Sequence, residues 1–122
     1  MDNQIFAGDL VWMVLKQSGL KKFSVKNLTN CLDEASLNFK GLWQAFTKDP
    51  RYGDSRILTE SLAALTLGGS VYWNGHGADQ MMVDKSYSSI QYSFLEPELR
   101  SQVNSVALQL ASIEKSDEIL TR

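Results

Sequence analysis

Apart from its lysines and arginines, the chain offers little reactive or ligating chemistry: one histidine, one cysteine and fourteen carboxylates in 122 residues. His76 stands between two glycines in Asn74-Gly75-His76-Gly77-Ala78-Asp79, with Asp79 and Asp84 the nearest carboxylates downstream. A zinc site takes three or four nitrogen, sulfur or carboxylate ligands, so this set is too small and too rich in oxygen to hold one well. The expectation for His76 is an exposed turn imidazole. Cys31 has no second cysteine to pair with and falls between Leu28 and Leu32 at helical spacing, which reads as core packing. The adjacent pairs Asp33-Glu34 and Asp117-Glu118 cannot face each other across a substrate, because neighbours on a helix diverge. The sequence has no glycine-rich phosphate loop, nucleophile elbow or HExxH pair. It therefore assigns no catalytic residue, no metal and no cofactor, and the expectation is a protein that is not an enzyme.

The cations carry more pattern. Between Leu10 and Leu32 lie Lys16, Lys21, Lys22 and Lys26 with no acidic residue among them, in a chain of net charge −2. Such a local excess can ride a phosphate backbone, bind an acidic partner or keep a helix junction solvated. Arg56 is a further candidate for a nucleic-acid contact. Arg51 and Tyr52 form the tip of TKDPRYGD, residues 47–54, whose proline, glycine and aspartates predict a loop.

These residues need elements to position them. The length and the 43 % apolar content fit one domain with a real core. No apolar run approaches a membrane span and the start MDNQIF has no basic leader, so a soluble cytoplasmic protein with no membrane partner is expected. A first helix is predicted from about Gln4 to Ser18, capped by Asp2 or Asn3 and stopped by Gly19. It is apolar almost all round, with Trp12 and Met13 beside Leu10, Val11, Val14 and Leu15. Such a helix lies either in the middle of the domain or against a partner subunit.

Lys21, Lys22 and Phe23 read as an extended link. Ser24 caps a second helix carrying Leu28, Cys31, Leu32 and Ala35, and a third is predicted over Phe39, Leu42, Trp43 and Phe46 after a cap at Asn38. Asp54 or Ser55 caps a fourth, through Leu58, Ser61, Leu62 and Leu65, which Gly68 ends in a left-handed conformation. Its outward positions are Arg56, Thr59, Glu60, Ala63, Ala64 and Thr66. Residues 70–84 then read as a hairpin around Asn74-Gly75. A short third strand is expected within Lys85 to Phe94. Glu96-Pro97 opens a long helix to about residue 116, where Leu99, Val103, Val106, Leu110 and Ile113 fall four and three residues apart, the spacing of a helix-to-helix seam. Its partner is the first helix of the same chain or a second copy.

The predicted fold class is therefore mainly α with a small antiparallel hairpin and a long C-terminal helix. In this order of elements the chain resembles the winged-helix superfamily, over roughly Ser24 to Asp84, by topology and with no diagnostic motif. The resemblance implies a helix-turn-helix type of domain, here with a helical core of about residues 4–67, a wing at about 70–84, and a helix before the wing that would enter a DNA groove. It also implies terminal helices suited to a dimer interface. The charges argue against the DNA role, since that helix offers one cation and one carboxylate outward where duplex binding needs several phosphate contacts. Two functions follow. The first is a protein-interaction adaptor or accessory subunit, a self-associating one, with Trp12, Met13, Leu99, Val103, Val106, Leu110 and Ile113 as the partner interface. The second is a dimeric DNA-binding regulator working through Lys16, Lys21, Lys22, Lys26, Arg56 and the wing. A small-molecule pocket lined by Trp43, Tyr52, Tyr72 and Trp73 is a lesser alternative.

Overall fold

The computed structural model describes residues 7–53, 55–73, 79–84 and 95–120. In chain order the elements are α1 (Ala7–Ser18), β1 (Lys22–Ser24), α2 (Val25–Asn38), a 3-10 helix (Gly41–Phe46), α3 (Arg56–Leu67), β2 (Val71–Trp73), β3 (Gln80–Val83) and α4 (Pro97–Leu120). The predicted class holds: helices with a small antiparallel sheet and a long C-terminal helix. The caps proposed at Asp2, Asn3 and Asp54, the hairpin turn with His76 and the strand expected within 85–94 lie outside the described residues.

The sheet has three strands in the order β1-β3-β2. The link read at Lys21 to Phe23 is its first strand, with Phe23 opposite Met81 and Lys22 opposite Met82. Tyr72 faces Met82 from the other side. Because side chains alternate along a strand, Lys22, Met82 and Tyr72 form an outward row, while Phe23, Met81, Val71 and Val83 point inward and are buried.

Trp12 is 3 % exposed and Met13 1 %. The first helix is thus the centre of the domain, with α3 and α4 packed on it. This corrects the interface assignment. Val103, Val106 and Leu110 are buried in the same core, and Leu99 and Ile113 are packed at its edge, so the seam is covered by the chain's own α1 and α2. The Trp12 ring also carries the Lys16 ammonium 5.8 Å from its centroid, which places that lysine's charge on the rim of the core.

Two helix boundaries differ from expectation for local reasons. α2 runs through Asn38, so Asn38 cannot cap the next helix, and Gly41 at φ +86 sets off a six-residue 3-10 turn instead of an α-helix. At the end of α3 it is Gly69, at φ +80, that turns left-handed, while Gly68 stays in the helical region. Ser70 N–H donates to the Leu65 carbonyl at 2.9 Å and Gly69 N–H to that of Thr66 at 3.1 Å. This paired closure fixes the angle at which β2 leaves α3.

Candidate functional site

Large apolar side chains are exposed singly at Leu37 on α2 and Leu108 on α4, and three of them close together in sequence at the junction of α3 and β2. Ser55 caps α3, its hydroxyl accepting the Leu58 N–H at 3.2 Å, and Leu58, Ser61 and Leu62 bury the opposite face of the helix. Outward stand Arg56, Ile57, Thr59, Glu60, Ala63, Ala64 and Leu67. Leu67 is 91 % exposed, and across the two-glycine turn Tyr72 is 49 % and Trp73 55 % exposed. From Ser61 to Ala78 the sequence has no Asp, Glu, Lys or Arg. The one cation on the outer face of α3, Arg56, is paired through Nε with Glu60 at 3.1 Å, one helical turn on. Among the described residues this junction combines large exposed apolar side chains with one paired cation, Lys22 lying two strands from Tyr72 in the outward row, a composition that suits a protein contact better than a phosphate-binding face.

Leu67 was missed as a surface residue because it follows Leu65 in an apolar run; its exposure comes from being the last helical residue, beyond the face that packs on α1. Thr66, expected outward, is half-buried and donates its hydroxyl to the Leu62 carbonyl at 2.7 Å.

The lysine cluster acquires acids in the fold that it lacks in the sequence. Lys16, Lys21, Lys22 and Lys26 are all exposed. At the start of α2, however, Asp79 from the foot of β3 accepts the Ser24 hydroxyl, and its carboxylate oxygens accept the Lys26 N–H at 3.3 and 3.4 Å. From α4, Glu114 accepts the Ser24 N–H and, at 3.1 Å, the Asn27 side-chain amide, which also donates to Asp117 at 2.7 Å. Three carboxylates therefore converge where the lysines gather, stabilised by the positive end of the helix. The junction is a clamp joining β1, β3, α2 and α4, and it sets three carboxylates against the chain segment that carries Lys22 and Lys26.

A second exposed constellation lies at the other end of α3. The 47–53 loop is tied to α2 by the Lys48 N–H donating to Asp33 at 2.7 Å and by Thr47 Oγ1 donating to Ser36 Oγ at 2.9 Å. Asp49 organises the loop itself, accepting the Arg51 N–H on its carboxylate at 2.8 Å and the Gly53 N–H on its carbonyl at 2.8 Å. Between loop and helix runs an open cleft of about 500 Å³, lined by Thr47, Asp49, Arg51, Arg56 and Ile57 among others.

The aromatic pocket alternative is not assembled. Trp43 is fully buried, donating its indole N–H to Gln102 at 2.8 Å, whereas Tyr52, Tyr72 and Trp73 are on the surface. Cys31 is fully buried, and burial pushes its thiol up to about 11, with smaller contributions from Glu34 and Glu114. No group of three or more His, Cys, Asp or Glu side chains is disposed to hold a metal among the described residues. No described helix is long and apolar enough to cross a membrane. Comparison with protein-family models, with curated proteins and with solved structures returns no match for this chain.

Proposed function

We propose that this chain is a winged-helix-like protein-interaction module, an adaptor or accessory subunit without catalytic activity, whose contact region is the junction of α3 and β2. The observation that carries the reading is the exposure of Leu67, Tyr72 and Trp73 around the α3–β2 turn, Tyr72 on the outer face of the sheet and Trp73 on its other face at the end of the strand, in a stretch of sequence free of charged side chains. The order of elements and the strand order β1-β3-β2 support the winged-helix likeness. Self-association belongs to this junction too, because Trp12, Met13, Val103, Val106 and Leu110 are buried inside the domain and Leu99 and Ile113 pack against its core. The test is co-purification of the native partner with wild-type protein, then affinity measurement with that partner purified. Leu67→Glu and Trp73→Glu should each weaken binding at least about tenfold. Retained affinity in both would refute the assignment of the junction.

A second reading, a dimeric DNA-binding regulator, draws on the exposure of Lys16, Lys21, Lys22 and Lys26. It requires duplex affinity that falls steeply with salt and is lost on replacing Lys21, Lys22 and Lys26 with alanine. Absence of binding at low salt removes it.

A further inference from the structure

We infer that the cleft between the 47–53 loop and the start of α3 is a receptor for carboxylate side chains, and that it takes an acidic segment of a protein partner. The inference rests on the reading of the chain as a protein-interaction module and adds the chemistry of a second contact, at the opposite end of α3 from Leu67.

Four observations converge. Among the described residues, the lining brings two guanidinium groups, Arg51 and Arg56, to one open cavity together with one carboxylate, Asp49. The surrounding sequence keeps that sign, by one charge: residues 40–60 contain Lys40, Lys48, Arg51 and Arg56 against Asp49, Asp54 and Glu60, in a chain whose net charge is −2. An acidic segment is attracted here while the rest of the molecule, on balance, repels it.

Both arginines also have donors to spare. Arg56 uses Nε on Glu60, and among the described residues no hydrogen bond occupies its two terminal nitrogens. Arg51 uses Nε and Nη2 on Asp49, both at 3.4 Å. Exposed pairs this long or this solvated are weak, so an incoming carboxylate can take their place, and a guanidinium grips a carboxylate through two parallel N–H donors.

Finally, the walls are fixed before anything binds. Asp49 holds the loop through the Arg51, Tyr52 and Gly53 N–H groups, and Gly53 closes it at φ +71. Thr47 and Lys48 fasten it to α2. Arg51 also lies 5.5 Å from the centroid of the Tyr52 ring, which orients a cation and an exposed aromatic together. Arginine and tyrosine are the residue types that dominate binding energy at protein interfaces. Ala45, Pro50 and Ile57 supply an apolar floor on which the backbone of an extended segment can lie.

The experiment is a titration of the full chain with a fluorescein-labelled peptide of alternating aspartate and glutamate with one tryptophan, followed by anisotropy and by backbone amide chemical shifts. The lysine counterpart of that peptide and a short DNA duplex serve as comparisons. Expected are saturable binding of the acidic peptide, shifts centred on Thr47 to Ile57, and affinity at least about tenfold lower in the Arg51→Ala/Arg56→Ala double variant. Leu67→Ala should leave this binding unchanged, which separates failure of the cleft from failure of the α3 and β2 junction. No binding at millimolar peptide overturns the inference. So does binding indifferent to the two arginines, or shifts centred on Lys21, Lys22 and Lys26. Equal occupation of the cleft by the DNA duplex overturns it in favour of a phosphate site.

Discussion

Trp43 shows how an aromatic that could have lined a ligand pocket becomes structural. Its ring lies between Phe39 and Phe46, with centroids at 5.9 and 6.4 Å, and its N–H is satisfied by Gln102 on α4. Trp43→Ala should cost about 3–5 kcal/mol in urea denaturation, since it empties the middle of a packed cluster. Cys31 gives a pH prediction. Its thiol sits near 11 in the folded chain against 9.0 for a free group, so the folded state holds the proton more tightly. The stabilisation is fully present below pH 9 and is lost as pH rises to about 11, on the order of 2–3 kcal/mol. Denaturation midpoints should fall across that window in the wild type and fall less in Cys31→Ala. Both roles were legible in the sequence, because spacing alone puts these residues on apolar helix faces. The exposure of Leu67 was not, since a leucine at a helix end looks like one in its middle.

Among the elements, most of those with a local cause were readable, the boundaries at Asn38 and Gly68 excepted, and those defined by a distant partner were not. The caps at Ser24 and Ser55 and the stop at Gly19 follow from side-chain chemistry within a few residues, and each is present. Ser55→Ala should lower stability by about 1 kcal/mol in chemical denaturation, because the buried Leu58 N–H loses its acceptor. β1 escaped notice because Lys22, Phe23 and Ser24 are a strand only by virtue of β3, nearly sixty residues later, and three residues show no periodicity. The carboxylates of Asp79, Glu114 and Asp117 at the lysine cluster have the same origin. A charge count along the chain sees four lysines, and only the fold brings the acids to them. Asp79→Ala should therefore destabilise the hinge of β3 on α2, by about 1–2 kcal/mol, and increase amide exchange at Val25 and Lys26.

For the whole molecule, the apolar helices that invited a dimer are consumed by the domain itself. A 122-residue chain needs nearly all its large side chains for one core, and α1 supplies its centre. Trp12→Ala should lower stability by about 3–5 kcal/mol, with a denaturation midpoint independent of protein concentration. A midpoint that rises with concentration would instead place Trp12 in an interface. Outside that core, besides Leu37 and Leu108, are the exposed apolar side chains at one end of α3 and an arginine-lined cleft at the other. The central claim is that the first of these meets a protein. Its most direct test is a photo-reactive phenylalanine derivative incorporated at position 73, with position 101 on α4 as comparison, irradiated in the cell in which the chain is expressed. The account predicts a discrete cross-link to polypeptide from position 73, abolished by Leu67→Glu, and none from position 101. Cross-links from position 73 to nucleic acid, or equal labelling from both positions, would contradict it.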